Sequence, residues 1–292
     1  MGTNSNEMSI PVHYDDREAF YIADNTNYPI LNVSGVNLPG VWESAVEALW
    51  EHGARIATQY DAEGDPLSRD AIAHLTVYEP LSEPRIHRGM PGGITELVTY
   101  VEEVVRGIHN SWIDINDPQK WFYTYNQRFC EYPMPDGSKV NQVDYVLKSL
   151  ADSPHTRRAQ MITWQPWFDT TYDHAPCLQR AWFRVFQDKL LMNVHIRSND
   201  AFKASFMNAY AFIELQKWMA DKLSERIGRE ISVGQYTHIA DSFHIYGSYF
   251  EEFERFLELS SKRSWEGRTY RSDDPAVLAE MEMAYAAMNA QQ

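Results

Sequence analysis

The chain reads as an α/β fold, and three observations carry that reading. Residues 181–186 and 190–198 alternate apolar and polar side chains about a polar turn, Gln187-Asp188-Lys189. The apolar period then lengthens, with Phe212, Leu215, Met219 and Leu223 at three- and four-residue steps, the spacing of a helix face. Beyond that helix, residues 234–240 return to a strand that feeds Asp241-Ser242-Phe243-His244-Ile245-Tyr246. Strands interleaved with helices in one chain place it in the α/β class.

Each element follows in order. The first 29 residues are polar and carry little signal; residues 30–36 make a short strand, and Asn37-Leu38-Pro39-Gly40 turns into a helix over 41–51. A loop over 84–93 holds Arg85, Arg88, Gly89, Gly92 and Gly93, and a helix over 94–108 follows it, carrying Glu96, Glu102 and Glu103. Tyr125 and its neighbours read as an aromatic strand, residues 141–149 as a helix, and Ser153-Pro154 as a turn. Arg157 and Arg158 open the next strand, so their side chains point to opposite faces. In the hairpin, Leu190, Met192, Val194 and Ile196 share one face, and Asn193, His195 and Arg197 share the other. Asn208 stands one turn before Phe212 on the same helix face, and an amide at the head of an apolar stripe must find a partner in the fold or in a ligand. His244 and Tyr246, two apart, share a strand face; residues 250–259 form an amphipathic helix covering the sheet, and 285–292 a frayed helix end.

Composition narrows the function. The chain has 292 residues, and with no linker, repeat or low-complexity run it is expected to be one domain over 1–292. Aromatics at 13%, with 9 Trp and 17 Tyr, argue for a dense core and against disorder. A formal charge of -15 argues against broad binding to nucleic acid or anionic membrane, whereas a mononucleotide needs only a local group of arginines. Two cysteines, Cys130 and Cys177, make no disulfide framework, no signal peptide or membrane span is visible, and Met1-Gly2 lacks a myristoylation context because Asn6 follows. A soluble, cytoplasmic protein in a reducing compartment is expected.

Pro176-Cys177, then Arg197-Ser198 with Asp200 and Asn208 at their intervals, resembles the core of thymidylate synthases and the related pyrimidine-nucleotide hydroxymethylases. Thr156-Arg157-Arg158 leading into Met161-Ile162-Thr163-Trp164, and the segment from Asp241 to Tyr246, match as well; the likeness is specific from about 125 to 250. It implies an α/β (α+β) fold with a large mixed sheet packed against helices, and a homodimer formed sheet to sheet with shared active sites. It also implies that a pyrimidine nucleoside monophosphate receives a carbon from 5,10-methylenetetrahydrofolate, with no metal. In such enzymes the thiol, here Cys177, adds to C6 of the pyrimidine and makes C5 a nucleophile. A thiol of pKa about 8.5 needs a cation to ionise near neutrality, and the resemblance offers Arg197.

The same resemblance assigns the other residues. Arg197 and Ser198 would hold the phosphate together with Arg157 and Arg158 of the partner subunit, since guanidinium forks match phosphate oxygens. Asp200 would meet the folate ring, His244 and Tyr246 a sugar hydroxyl, and Tyr125 and Trp112 the base and ring region. The family's essential Glu falls in a Glu-Leu-Leu-Trp-Phe run ahead of Gly-x-x-Asn; Glu96-Leu97-Val98-Thr99-Tyr100 resembles the run and Gly107 to Asn110 its end, with a spacing off by about one turn. Both Glu96 and Glu103 therefore stand as candidates. An early loop supplies a phosphate Arg in the family, and 84–93 is its counterpart by position. Asn208 can donate to uracil O4 and accept from N3-H, and an amide can turn over to suit cytosine.

The residues also have ordinary structural readings: an inert buried thiol, a surface carboxylate, solvated helix charges, a packing Trp. Departures from the family pattern are specific. Leu178 stands where His follows the nucleophile, Ile196 replaces the Gln before Arg-Ser, Lys203-Ala204 replaces Leu-Gly, Phe206-Met207-Asn208 replaces Pro-Phe-Asn, and Asn126 and Arg128 alter Tyr-Gly-x-Gln. The end, Tyr285 to Gln292, is unlike the family's apolar tail that closes over the folate. With folate loosely held, water rather than hydride would capture the methylene intermediate, so hydroxymethylation is the expected outcome, ahead of reductive methylation of dUMP and of a non-catalytic nucleotide-binding dimer.

Overall fold

The computed structural model describes residues 27–171 and 173–290. The polar start of the chain and the last two residues lie outside the described residues. Within them the elements run β1 (Ile30–Gly35), α1 (Leu38–His52), β2 (Ala54–Ile56), β3 (Ser68–Val77), β4 (Ile86–His87), α2 (Ile94–Arg106), α3 (Tyr125–Cys130), β5 (Tyr132–Pro133), β6 (Lys139–Val140), α4 (Gln142–Asp152) and β7 (Gln160–Ile162). Then follow β8 (Leu178–Phe186), β9 (Lys189–Ile196), β10 (Asn199–Asp200), α5 (Ser205–Ile227), β11 (Ser232–Ile245), α6 (Phe250–Lys262), β12 (Thr269–Tyr270) and α7 (Pro275–Asn289).

Eight strands form one mixed sheet in the order β1-β3-β11-β9-β8-β7, with β2 beside β3 and β10 beside β11. The β8–β9 hairpin forms as the alternation predicts: Leu190, Met192, Val194 and Ile196 are buried, and Gln187 and Asp188 both take positive φ, the tight turn that matches strand twist. The helix after it, α5, buries Phe206, Phe212, Leu215, Met219 and Leu223 against the sheet. Buried Gln216 ties it there, donating to the carbonyls of Leu190 and Gly234 at 2.7 and 3.1 Å. From α1, Trp42 donates its indole N–H to the Ala201 carbonyl at 2.9 Å, fixing the chain just ahead of α5. The opposite sheet face, with Arg180, Trp182, Phe186, Asn193 and His195, stays half-buried or exposed.

Several expected boundaries move, each for a local reason. Helix α1 begins at Leu38, because Asn37 accepts from the Gly40 N–H at 3.1 Å and Pro39 suits a first turn. Helix α2 stops at Arg106, where Gly107 takes φ 69 and an added Cβ would strike Asn126. Tyr125 opens a helix instead of lying in a strand, since Thr124 Oγ1 caps it by accepting from the Gln127 N–H at 3.0 Å. Arg157 and Arg158 occupy a bend ahead of β7, which starts only at Gln160. The C-terminal segment is a regular helix to Asn289, packed on α2 through buried Val277 and Ala284.

Candidate active site

The ends of β8, β9 and β11 meet at one end of the sheet, because β8 runs antiparallel to β9 and β9 parallel to β11. Cys177 immediately precedes β8, and its carbonyl accepts the Arg197 N–H at 2.8 Å. The Arg197 side chain turns back to donate Nε to the Pro176 carbonyl at 3.1 Å and Nη2 to the Ala175 carbonyl at 2.6 Å. The cation therefore clamps the loop that carries the thiol. Burial pushes the Cys177 thiol above its ordinary pKa, and Arg197 opposes that shift without cancelling it. The expected ionising effect of Arg197 is thus real in direction and smaller than desolvation.

Helices supply the second wall. Tyr100 on α2 donates its hydroxyl to Asn208 Oδ1 on α5 at 2.7 Å, which gives the amide its partner and turns its N–H groups away. Tyr125 Oη accepts the Leu178 N–H at 3.2 Å, next to the thiol. Burial holds both phenols well above their usual pKa, so they are protonated donors. Glu103, one turn after Tyr100, bonds His109 Nδ1 at 2.9 Å, and burial raises its carboxyl pKa. His109 in turn stacks on Trp112 at 3.8 Å between ring centroids. A cavity of about 390 Å³ opens here, lined by Glu103, Lys120, Trp121, Tyr123, Tyr125 and His174 among others.

Glu96 is not brought into this group. It is exposed, and its carboxylate caps α2 by accepting the Gly93 N–H at 2.9 Å. Sequence reasoning passed over Tyr100, although the signal was present: shifting the Glu96 run forward by the missing turn lands on it. The loop over 84–93 does not offer a free arginine either. Arg85 is ion-paired to Glu214 at 2.5 Å beneath Tyr210, and Arg88 lies over Tyr270 at 4.0 Å. The loop that reaches the site is instead 57–67, whose Tyr60 meets Tyr246 edge-on at 6.1 Å; it carries Asp61, Glu63 and Asp65 and no Arg.

His244 and Tyr246 share a face with ring centroids 4.7 Å apart. Asp200 pairs in register with His244, and its Oδ1 already accepts the N–H groups of Phe202 and Lys203 at 3.0 and 2.7 Å. Burial raises its carboxyl pKa against those bonds. Ser198 is half-buried beside Arg197. Arg157 and Arg158 are exposed and lie elsewhere: the Arg157 carbonyl accepts the Trp182 indole N–H at 3.1 Å, five residues along β8 from Cys177, or roughly 16 Å of strand. Among the described residues no three His, Cys, Asp or Glu side chains gather to bind a metal, and no helix is long and apolar enough to cross a membrane.

Fold and site together define a class, an α/β protein with a half-buried thiol at the end of a mixed sheet, flanked by an arginine, two buried phenols and an amide. The sequence profile of the thymidylate synthase family matches residues 92–267. A Methanocaldococcus jannaschii protein named "Putative thymidylate synthase" is 40% identical over 129 residues, covering 42% of this chain and 55% of that protein. A protein of the same name from Methanococcoides burtonii is 27% identical over 217 residues, covering 74% and 90%. Thermostable thymidylate synthase A from Bacillus subtilis superposes with a TM-score of 0.57 at 20% identity, over 76% of this chain and 84% of that one, which establishes the shared fold. The chain belongs to the thymidylate synthase family. That places it among one-carbon transferases of pyrimidine-nucleotide synthesis, a family whose carbon donor is methylenetetrahydrofolate.

Proposed function

We propose that the protein hydroxymethylates C5 of a pyrimidine nucleoside monophosphate, with dUMP, UMP, dCMP and CMP as candidate acceptors. The observation that carries this reading is the gathering of Cys177, Arg197, Tyr125 and the Tyr100–Asn208 pair at one sheet end. Cys177 sulfur bonds to C6, and the C5–C6 π pair moves toward C5 and O4. The Asn208 amide N–H groups, left free by the Tyr100 bond, suit an O4 on which negative charge develops, which favours a uracil base. When bound, methylenetetrahydrofolate supplies the electrophilic carbon that C5 attacks. The aromatic lining of the cavity, Trp121, Tyr123 and Tyr125, fits a flat pterin. Asp200 fits such a ring less fully than the resemblance implies, because one of its oxygens is committed to backbone N–H groups.

Glu103, with its raised carboxyl pKa and its place beside Tyr100 and Tyr125, is the group to take the C5 proton, with His109 holding it and Trp112 bracing His109. Water then adds to the exposed methylene and the Cys177–C6 bond breaks. Three replaced side chains support water capture over hydride transfer. Leu178 is fully buried where the family has His, Lys203 is ion-paired to Glu252, and Phe206 packs on Trp42 with centroids 5.3 Å apart. Arg197 has N–H groups beyond the two that clamp the loop, and these with Ser198 would take the phosphate. Arg157 and Arg158, too far along β8 to serve their own Cys177, would complete a second subunit's site across the open sheet face. His244 and Tyr246 would take the sugar.

The test is the mass of the nucleotide after incubation with 5,10-methylenetetrahydrofolate and, separately, dUMP, UMP, dCMP and CMP. Gain of a hydroxymethyl group on one of them is expected. Gain of methyl on dUMP with release of dihydrofolate makes the protein a thymidylate synthase in the narrow sense. No product from any of the four leaves a nucleotide-binding dimer.

A further inference from the structure

Strand β11 changes its pairing with β3 where it enters the site. Ala240 stands opposite Ala73 and Phe243 opposite Ala71, so Asp241 and Ser242 together face the single residue Ile72. Two residues against one is a β-bulge, and it inverts which side chains face where. Ala240 and Phe243 both lie on the core face, and His244 falls on the other, in register with Asp70 of β3 on one side and Asp200 of β10 on the other.

The bulge also brings Ser242 between Asp70 and His244. Ser242 Oγ donates to Asp70 Oδ2 at 2.7 Å and lies 3.1 Å from His244 Nδ1. We propose that Asp70, acting through Ser242, is a positioning residue that fixes His244 with Nε2 as an acceptor for the 3′-hydroxyl of the nucleotide sugar; this rests on the nucleotide reading of the site given above. A serine hydroxyl has one proton, and here it points at a carboxylate that can only accept. Ser242 therefore accepts from Nδ1, which places the proton of the neutral ring on Nδ1 and leaves the Nε2 lone pair open.

Asp70 is suited to this part. It is buried, with 7% of its surface exposed, and the Ser242 and Tyr28 hydroxyls both favour its charged form against the cost of burial. Asp200, the other flanking carboxylate, cannot do the same through Oδ1, which holds two backbone N–H groups. His244 is itself 5% exposed, so water does not set its orientation. Its ring presents an acceptor beside the Tyr246 hydroxyl, and the pair meets one sugar hydroxyl from two sides.

The test compares binding of dUMP, UMP, dCMP and CMP to the full chain by calorimetry, then of the tightest of these and its 3′-deoxy counterpart. The intact protein should prefer the 3′-hydroxyl by about tenfold, the size of one good hydrogen bond. Ser242→Ala should bind both nucleotides about equally, with affinity for the 3′-deoxy form unchanged within about twofold, and Ser242→Thr should restore the preference. Asp70→Ala combined with Ser242→Ala should lose no more than either alone. If Ser242→Ala keeps the full preference, or weakens both nucleotides alike, Asp70 and Ser242 have a merely structural part and the proposal fails. If the intact protein binds none of the four nucleotides, the nucleotide reading fails first and takes the proposal with it.

Discussion

Replacing Arg128 with alanine should destabilise the fold by about 3–5 kcal/mol, the range for leaving a buried ion without its partner. Arg128 and Asp169 are 1% and 2% exposed, and the guanidinium meets the carboxylate with two bonds, at 2.7 and 3.2 Å. It also donates to the Thr163 carbonyl at 3.1 Å. Without the arginine, Asp169 retains the Gln165 N–H at 2.6 Å, so the carboxylate is only part-stranded and the lower half of the range is the better value. At roughly 2–4 °C per kcal/mol for a chain of this size, the melting temperature should fall by about 6–15 °C. The site should feel the change too, because Arg128 holds α3 in place and α3 carries Tyr125, whose hydroxyl accepts the Leu178 N–H. Urea unfolding would report the stability, and hydrogen exchange at the Leu178 amide would report the loosening. The apolar pair Arg128→Met with Asp169→Leu should recover most of the loss, since it strands no charge. A cost below about 1 kcal/mol for Arg128→Ala, or a double variant no better than the single one, would refute the reasoning.

Four further outcomes follow from the same structure. Since burial raises the Cys177 pKa and only thiolate reacts, iodoacetamide should label it more slowly than a free thiol at pH 7 and faster as pH rises past the ordinary thiol range; Arg197→Met should move that profile further to alkaline pH. Burial pushes His238 down to about 3, so the unfolded chain takes a proton below pH ~6.5 that the folded one refuses. Stability should therefore fall by up to ~1.4 kcal/mol per pH unit between those values on account of this group, and His238→Gln should flatten the slope of the urea midpoint against pH. Tyr100→Phe should free Asn208 to turn over, reducing discrimination between uracil and cytosine nucleotides by about tenfold in a competition binding assay. Mixing Cys177→Ala with Arg157→Ala/Arg158→Ala, each inactive alone, should restore about a quarter of the activity if the sites are shared, since half the dimers are mixed and each holds one intact site; no recovery counts against the shared site.

The residues that were legible in the sequence were those whose side-chain period is unbroken. The hairpin faces, the α5 stripe and the place of Cys177, Arg197 and Asn208 relative to one another follow from periods of two and 3.6 and from a matched motif. Tyr125 was misread because its aromatic neighbours outweighed Thr124-x-x-Gln127, a capping signal that decides for helix. The choice between Glu96 and Glu103 could not be made from spacing alone. It turns on Gly107, whose left-handed conformation sets where α2 ends and so which residues face the thiol. The phosphate loop was sought by its arginines, whereas the loop nearest the sugar fork has none, a case where composition pointed away from position. Asp70 carries no signal in its own segment, because its role depends on a strand 172 residues later.

The extra residue in β11 has a consequence for how this strand can change over time. Substitutions at Asp241 or Ser242 alter single contacts, but deleting either would restore strict alternation and rotate everything after it by half a turn. His244 and Tyr246 would then point into the space now filled by Phe243 and Ile245, both fully buried. The strand is thus tolerant of spelling and intolerant of length, and divergence here should proceed by replacing letters while the count is kept.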